Sequence, residues 1–143
     1  MTKKCIEAAG VLFWSKSTDR YLFLLRNDKI PSWSLVGGKI DDNETMLETL
    51  EREAKEEIDY WPEKVKIFPI ERYNSEDGHF SYNTFFAPIE SEFIPKLNHE
   101  HIGYAWVQHP HYPKPLHRGL FFTLSYETIR QKLDIIRNSL NND

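Results

Sequence analysis

A glycine pair followed by a run of carboxylates is the part of this sequence best suited to chemistry. Gly37 and Gly38 come first, Glu44 follows after five intervening residues, and segment 52–57 reads Arg-Glu-Ala-Lys-Glu-Glu. Glycine lets the backbone approach a ligand closely, and carboxylate oxygens are the hard ligands that Mg²⁺ and Mn²⁺ prefer. The pattern therefore predicts a divalent metal ion held against a phosphate chain.

The carboxylates belong to a predicted helix over residues 44–58. Glu53, Glu56 and Glu57 are three and four residues apart, so they share one side of that helix. Another side carries an apolar stripe that is expected to pack on a sheet, formed by Leu47, Leu50, Ala54 and Ile58. The three carboxylates repel one another unless a cation lies between them. A solvated charged face is the alternative, because Glu is a good helix former, but the glycine pair ahead of the helix favours the metal site.

Residues at the ends and middle of this helix have predicted roles of their own. Asn43 is expected to cap the helix, and Glu44 suits the positive end of the helix dipole. Pro62 is expected to close this element. Arg52 either clamps a phosphate or forms an ion pair that orients Glu44 or a neighbouring Glu, and its position between carboxylates favours the ion pair.

Strand-like runs surround the helix and predict a mixed sheet between helices. Apolar or alternating residues occupy 5–14, 21–25, 65–73, 80–89 and 103–108. The first two runs are expected to form a hairpin. A proline-rich loop follows the last run, and the chain ends in a predicted helix with the apolar stripe Ile129, Leu133, Ile136 and Leu140.

Composition and charge favour one globular domain spanning residues 1–143. Hydrophobic residues make up 40% of the chain and the net charge is −4, so binding to polymeric nucleic acid through its backbone is not expected. Cys5 is the only cysteine, which excludes an internal disulfide. No run approaches the roughly 18 apolar residues of a membrane helix or the core of a signal peptide. We expect no membrane partner and a cytoplasmic location.

The segment from Gly38 to Tyr60 resembles the signature of the Nudix (MutT-like) hydrolases. Seven fixed positions match, namely Gly38, Glu44, Arg52, Glu53, Ala54, Glu56 and Glu57. Outside the signature, segment 33–39 resembles the family's entry into the loop, and segment 98–107 resembles its late acidic loop and strand. Asp59 stands where the family usually has Gly; in the family this position ends the helix, often in a left-handed conformation, which Asp tolerates at some cost. Val36 stands where the family often has Pro. Neither departure removes a metal-binding side chain.

The resemblance implies an α/β/α sandwich and a metal-dependent hydrolysis of a nucleoside diphosphate linked to another group. Mg²⁺ is the expected cofactor, with Mn²⁺ as the alternative. The implied metal ligands are three signature glutamates and one loop carbonyl: Glu53, Glu56, Glu57, and either Gly38 or Gly37. The catalytic residues implied are Arg52, Glu44 and a general base, which is either Glu53 or Glu100.

Substrate contacts are expected near the glycine pair and after the proline-rich loop. The candidate substrate-binding residues are Trp33, Gly37, Gly38, Lys39 and Arg118. Trp33, Phe80 and Tyr82 are also candidates to stack on a nucleobase, although core packing is favoured for any one of them. Five histidines lie within 99–117, and they are expected to form a solvated loop over the active site rather than a zinc site.

The favoured substrates are nucleoside triphosphates or nucleotide sugars, with ADP-ribose and dinucleoside polyphosphates as further candidates. One alternative function is a nucleotide-sensing module that has the same fold but does not hydrolyse its ligand. Another is a protein-interaction domain whose acidic helix is only a solvated surface. Family resemblance also permits a homodimer, although no segment of the sequence identifies an interface.

Overall fold

In the computed structural model, which describes residues 5–141, seven strands form one mixed sheet flanked by three helices. The strands are β1 Ile6–Ser15, β2 Arg20–Arg26, β3 Trp33–Ser34, β4 Val36–Lys39, β5 Phe68–Asn74, β6 Phe80–Ile89 and β7 His101–Val107. The helices are α1 Met46–Ile58, α2 Arg118–Ser125 and α3 Glu127–Asn141. No helix in this described part is long and apolar enough to cross a membrane.

Strand β1 organises the sheet because it changes partner along its length. It runs parallel to β6 over its whole length and antiparallel to β4 between Ala8 and Val11. At Trp14 and Ser15 it pairs instead with β2, which confirms the predicted hairpin. Segment 33–39 bridges these partners, since β3 pairs with β2 and β4 pairs with β1. The glycine pair therefore lies where the chain passes from one strand to the other.

The two faces of β1 belong to two separate apolar cores, as the period-two geometry of a strand requires. One core lies between the sheet and α1, and its β1 members are Ala9, Val11 and Phe13. The other core lies between the sheet and the two C-terminal helices, and it contains Leu12, Trp14, Leu120, Leu124, Ile129 and Leu133. This layering confirms the predicted α/β/α sandwich with a mixed sheet.

Helix α1 begins two residues later than the sequence predicted. Thr45 is the N-cap, not Asn43, because the Thr45 hydroxyl accepts a hydrogen bond from the Glu48 backbone while the Glu48 side chain accepts one from the Thr45 backbone. Asn43 lies outside the helix at a φ of 73°. Glu44 also precedes the helix, so its predicted place in the first turn is wrong. Its carboxylate instead accepts a hydrogen bond of 2.8 Å from the Thr49 hydroxyl.

The buried stripe of α1 is shorter than predicted. Leu50, Ala54 and Ile58 are buried, whereas Leu47 is 52% exposed because the first turn of the helix projects past the core. Asp59 ends the helix with φ 53° and ψ 42°, which confirms the predicted left-handed end. Asp therefore fills the position that the signature usually gives to Gly.

The other elements differ from the sequence expectations mainly at their ends. Strand β5 begins three residues later than predicted, and β7 begins two residues earlier and ends one residue earlier. Helix α2 was not predicted, because Arg118–Ser125 is short, follows several prolines and carries consecutive aromatic residues. The apolar stripe predicted for the last helix is confirmed, with Ile129 and Leu133 buried. Residues 1–4 and 142–143 of the predicted domain lie outside the described part.

Candidate active site

Glu57 places a carboxyl group in the interior of the protein next to the glycine pair. It is 1% exposed, and its Oε1 accepts a hydrogen bond of 2.9 Å from the Gly37 backbone nitrogen. The pKa of Glu57 is raised to about 9, mainly by burial; the Gly37 hydrogen bond opposes the rise, and the neighbouring Glu53 and Glu100 carboxylates add to it. Without a cation, the Glu57 carboxyl therefore favours its protonated form at neutral pH.

Other protein groups lie close to both residues of the glycine pair, where a side chain would occupy the same space. A Cβ atom on Gly37 would overlap the Ala9 carbonyl oxygen, which belongs to rigid strand backbone. A Cβ atom on Gly38 would lie 2.6 Å from Oε1 of Glu53. The two glycines thus let β4 lie against β1 while the Glu53 carboxylate rests on the loop. Burial is also the largest cause of the raised pKa of Glu53.

Arg52 connects the carboxylates of the signature. Its guanidinium donates to both Glu44 oxygens at 2.7 and 3.0 Å, and to Glu53 Oε1 at 2.9 Å. It also reaches Glu56 Oε2 at 3.4 Å and the Lys39 carbonyl oxygen at 3.2 Å. Arg52 is the main reason that the pKa of Glu44 falls to about 2. The predicted ion pair is confirmed, and it fixes the orientation of Glu53.

His101 completes a group of potential metal ligands that the sequence did not reveal. It is the first residue of β7, and its Nδ1 lies 3.3 Å from Glu57 Oε2. One ligand atom from each of Glu57, Glu100 and His101 lies within 4.8 Å of the others. Burial, followed by the charge of Arg26, lowers the pKa of His101 to about 4, so the imidazole is neutral at pH 7. The prediction that this histidine is solvated is wrong, because it is 7% exposed.

These groups open into a cleft of about 710 Å³. Its walls combine carboxylates, cationic side chains and aromatic rings, namely Glu53, Glu57, Glu100, Arg26, Lys39, Phe80 and Tyr82. Tyr82 can lie in this wall because Gly10 has no side chain. A Cβ atom on Gly10 would overlap the Tyr82 hydroxyl group. The arrangement can hold a ligand with an anionic end and a flat ring, because positive groups suit phosphates and aromatic rings suit a base.

The cleft brings together most, but not all, of the predicted site residues. Lys39 and both glycines line it with Glu53, Glu57 and Glu100. Trp33 does not line it and packs against the core beneath α2 and α3. Arg118 is an exposed residue at the start of α2. Glu56 is exposed on the outer side of α1, and Glu44 acts on the site through Arg52.

Several residues of the cleft were missed by sequence reasoning. They are Arg26, Asn27, Asp28 and Ser34. Arg26 ends β2 and the next two residues follow it, and Arg26 Nε donates to Asp28 Oδ2 at 2.6 Å. Polar residues at the end of an apolar strand are a common sign of a site, so this tripeptide was the available signal. His101 and His117 were expected in the loop over the active site, but only the fold shows that His101 is buried beside Glu57.

Comparison with known proteins agrees with this geometry. The sequence model of the NUDIX domain matches residues 6–121. A dihydroneopterin triphosphate diphosphatase of Haemophilus influenzae is 33% identical over 122 residues, covering 75% of this chain and 77% of that protein. The protein of the same name from Escherichia coli K12 is 29% identical over 114 residues, covering 70% of this chain and 76% of that protein.

Solved structures share the fold at lower sequence identity. A MutT NUDIX hydrolase from Burkholderia pseudomallei has a TM-score of 0.69 at 21% identity, covering 85% of this chain and 97% of that one. An Ap4A hydrolase from C. elegans has a TM-score of 0.68 at 20% identity, covering 92% of this chain and 98% of that one. Because the family model spans residues 6–121 and the signature residues Gly38, Glu53 and Glu57 line one cleft, this chain belongs to the Nudix hydrolases, which act on phosphoanhydride bonds.

Proposed function

We propose that the protein is a Mg²⁺-dependent pyrophosphohydrolase of a triphosphate attached to a planar ring system, with dihydroneopterin triphosphate as the first candidate. The observation that carries this proposal is the cleft, in which an acidic cluster beside a glycine pair faces cationic and aromatic side chains. The names of the two curated relatives support the candidate substrate. Among the substrate classes expected from the sequence, nucleoside triphosphates are therefore favoured over nucleotide sugars.

The residues present fit a divalent metal ion. The Glu57 carboxyl is buried beside two other carboxyl groups, and the proximity of their charges helps to raise its pKa. A cation would remove this conflict, and Glu53, Glu56, Glu57 and the Gly38 carbonyl are the residues proposed to hold it. When bound, Mg²⁺ or Mn²⁺ neutralises phosphate charge and makes a bound water more acidic.

Other residues of the cleft are proposed to bind and position the substrate. Arg26 and Lys39 supply positive charge for the phosphates, while Phe80 and Tyr82 supply a surface for the ring. A volume of about 710 Å³ lies within the usual range for small-molecule sites, roughly 300–1,000 Å³. Trp33 and Arg118, predicted from the sequence to bind substrate, are secondary candidates because neither lines the cleft.

The proposed reaction adds one water across a phosphoanhydride bond. The water oxygen attacks phosphorus, pyrophosphate leaves, and a monophosphate remains. Glu53 and Glu100 are both candidates to accept the proton of the water. Glu53 is held by Arg52 at 2.9 Å, whereas Glu100 is exposed at the rim of the cleft. Replacing each by Gln separates them, because loss of the base removes the acidic limb of the pH–rate profile, whereas loss of a metal ligand raises the metal concentration required.

A panel of substrates tests the proposal. Pyrophosphate and phosphate release would be followed with Mg²⁺ for dihydroneopterin triphosphate, the common nucleoside triphosphates, nucleotide sugars, ADP-ribose and dinucleoside polyphosphates. We expect the highest kcat/KM for the pterin triphosphate. Glu57→Gln is expected to lower it by about 100-fold or more. Glu51→Gln is the matched control, because Glu51 lies on the same helix, pairs with Lys55 at the surface and does not line the cleft.

Other results on this panel would contradict the proposal in distinct ways. Faster turnover of a nucleotide sugar than of the pterin triphosphate would contradict the proposed substrate class but would still show that the protein is a hydrolase. Ligand binding without turnover of any compound would favour the nucleotide-sensing module. The homodimer and the cytoplasmic location stay predictions, which sedimentation and cell fractionation can test.

A further inference from the structure

The side chain of His101 is buried and points an unsatisfied nitrogen into the acidic cluster. It is 5% exposed, and its Nδ1 has no hydrogen-bond partner among residues 5–141. The nearest acidic atom is Oε2 of Glu57 at 3.3 Å, but the two atoms do not meet the geometry of a hydrogen bond. Buried polar atoms usually have a partner. The missing partner of Nδ1 is therefore a group that belongs between His101 and the carboxylates.

Three donors surround that position at the spacing of a metal site. One ring nitrogen of His101 and one carboxylate oxygen from each of Glu57 and Glu100 lie within 4.8 Å of one another, and Nδ1 is the nitrogen that lies 3.3 Å from Glu57 Oε2. Bonds from nitrogen or oxygen to a divalent ion are about 2.0–2.6 Å long. Two donors of one ion are therefore at most about 5 Å apart, and the three atoms satisfy this limit.

The backbone fixes these donors with respect to one another. The Asn98 nitrogen donates to the Glu57 carbonyl oxygen at 3.2 Å, and the His101 nitrogen donates to the Asn98 carbonyl oxygen at 3.3 Å. The Asn98 side chain also accepts from the Glu100 backbone at 3.0 Å. Asn98 thus ties the start of β7 to the C-terminal end of α1. Hydrogen bonds to Asn98 therefore hold the backbones of Glu57, Glu100 and His101 close together.

We propose that Nδ1 of His101 is a direct ligand of the divalent ion, together with Glu57 and Glu100. This inference rests on the proposed metal dependence and adds a nitrogen donor to a site otherwise made of oxygen donors. Imidazole binds first-row transition ions better than Mg²⁺, and affinity rises from Mn²⁺ to Co²⁺. The protein therefore favours Co²⁺ and Mn²⁺ over Mg²⁺ more strongly than an all-oxygen site does.

Pulsed electron paramagnetic resonance of the full chain loaded with less than one equivalent of MnCl₂ tests the nitrogen ligand directly. A coordinated imidazole couples its ¹⁴N nucleus to the electron spin of Mn²⁺, and labelling with ¹⁵N-histidine changes the coupling. We expect this signal in the wild-type protein and in His99→Gln, which alters an exposed histidine of the same cleft. We expect its loss in His101→Phe. If His101→Phe does not fold, the wild-type spectra with and without the label decide the question.

Metal affinities measured by calorimetry provide the second readout. His101→Phe is expected to weaken Co²⁺ and Mn²⁺ binding by about tenfold or more, and to change Mg²⁺ binding much less. A wild-type protein that binds Mn²⁺ and hydrolyses its substrate but shows no histidine coupling would overturn this inference alone. Equal losses for all three ions would also overturn it, because His101 would then only orient Glu57. Absence of Mn²⁺ binding together with metal-independent hydrolysis would overturn the proposed function as well.

Discussion

Arg52 and the buried carboxyls set the charge of the site in opposite directions. Arg52 stabilises the ionised forms of Glu44 and Glu53 through hydrogen bonds of 2.7–3.0 Å. Burial acts the other way on Glu57, whose pKa rises to about 9. Arg52 thus neutralises Glu44 and Glu53, whereas ionised Glu57 needs a cation from solution.

Arg52→Lys is expected to lower kcat by about 100-fold with little change in Tm. A single ammonium group cannot reach Glu44, Glu53 and the Lys39 carbonyl oxygen together, so Glu53 loses its fixed orientation. Steady-state kinetics and thermal unfolding measure the two effects. Arg72→Lys is the matched control, because Arg72 pairs with Glu7 at 2.7 Å and does not line the cleft. Equal losses in the two variants would show that the Arg52 network has no special role.

The stability of the metal-free protein is expected to fall as pH rises from 7 to 9. The pKa of Glu57 rises from 4.5 in the unfolded chain to about 9 in the folded one. The contribution of Glu57 to the free energy of unfolding is therefore complete below pH 4.5 and is lost as the pH rises through the folded pKa. His101 affects stability in the opposite direction, because its pKa is lower in the folded protein. Its effect changes only between the folded pKa of about 4 and the unfolded pKa of 6.5. Glu44 acts below 4.5, so neither disturbs this window.

Chemical denaturation in EDTA at pH 7 and pH 9 measures this loss. Glu57→Gln carries no charge at either pH, so its stability is expected to fall less over the same interval. Mg²⁺ is expected to restore wild-type stability more at pH 9 than at pH 7, since metal binding requires the ionised carboxylate. Parallel curves for the wild type and Glu57→Gln would contradict the proposed protonation of Glu57.

At the scale of elements, the site depends on how closely β4 and α1 approach. The β4 residues Gly37 and Gly38 meet the α1 carboxylates of Glu57 and Glu53, respectively. Contact at Gly38 involves the end of a flexible side chain, whereas contact at Gly37 involves the Ala9 backbone. A side chain is therefore tolerated by the fold at Gly38 and not at Gly37.

Gly38→Ala is expected to preserve the fold and weaken Mg²⁺ binding. The new Cβ would lie 2.6 Å from Glu53 Oε1, so the carboxylate must turn away from its position. We expect a loss of about tenfold or more in metal affinity by calorimetry. Gly119→Ala is the control, because a Cβ there meets nothing within 4 Å and lies in helix α2. That variant is expected to gain about 0.5–1 kcal/mol of stability. Unchanged Mg²⁺ affinity in Gly38→Ala would contradict this account of the loop.

A comparison of the predicted and observed helices and strands shows which parts of the fold follow from local sequence. Strand β6 was predicted with its observed ends, and α1 from its periodic apolar residues. The errors fall where tertiary contacts decide, as at Leu47, which has the right period but lies beyond the core. Thr45 caps the helix instead of Asn43 because its capping box with Glu48 uses two hydrogen bonds. Helix α2 forms because its apolar side packs on the second core, which no local pattern reveals.

At the scale of the whole molecule, the site is assembled from distant parts of the chain. Arg26, Gly37, Glu57, Tyr82 and His101 line one cleft although they span most of the sequence. The signature predicted the carboxylates and glycines because they are local in sequence. Lys39, Phe80 and Tyr82 were candidates from the sequence, and the structure places all three in the cleft. The positions of Arg26 and His101 depend on the sheet order, so sequence spacing alone could not place them.

The central claim is that the acidic side of α1 and the glycine loop carry out a metal-dependent cleavage of a triphosphate. Pyrophosphate release from dihydroneopterin triphosphate tests it most directly, measured with Mg²⁺, then with EDTA, and again after Mg²⁺ is restored. We predict a kcat/KM of about 10⁴ M⁻¹s⁻¹ or more, a loss of at least about 100-fold in EDTA, and full recovery. Glu53→Gln is predicted to show the same loss with Mg²⁺ present. Pyrophosphate release that persists in EDTA, or binding of the triphosphate with no release in Mg²⁺, would contradict the account.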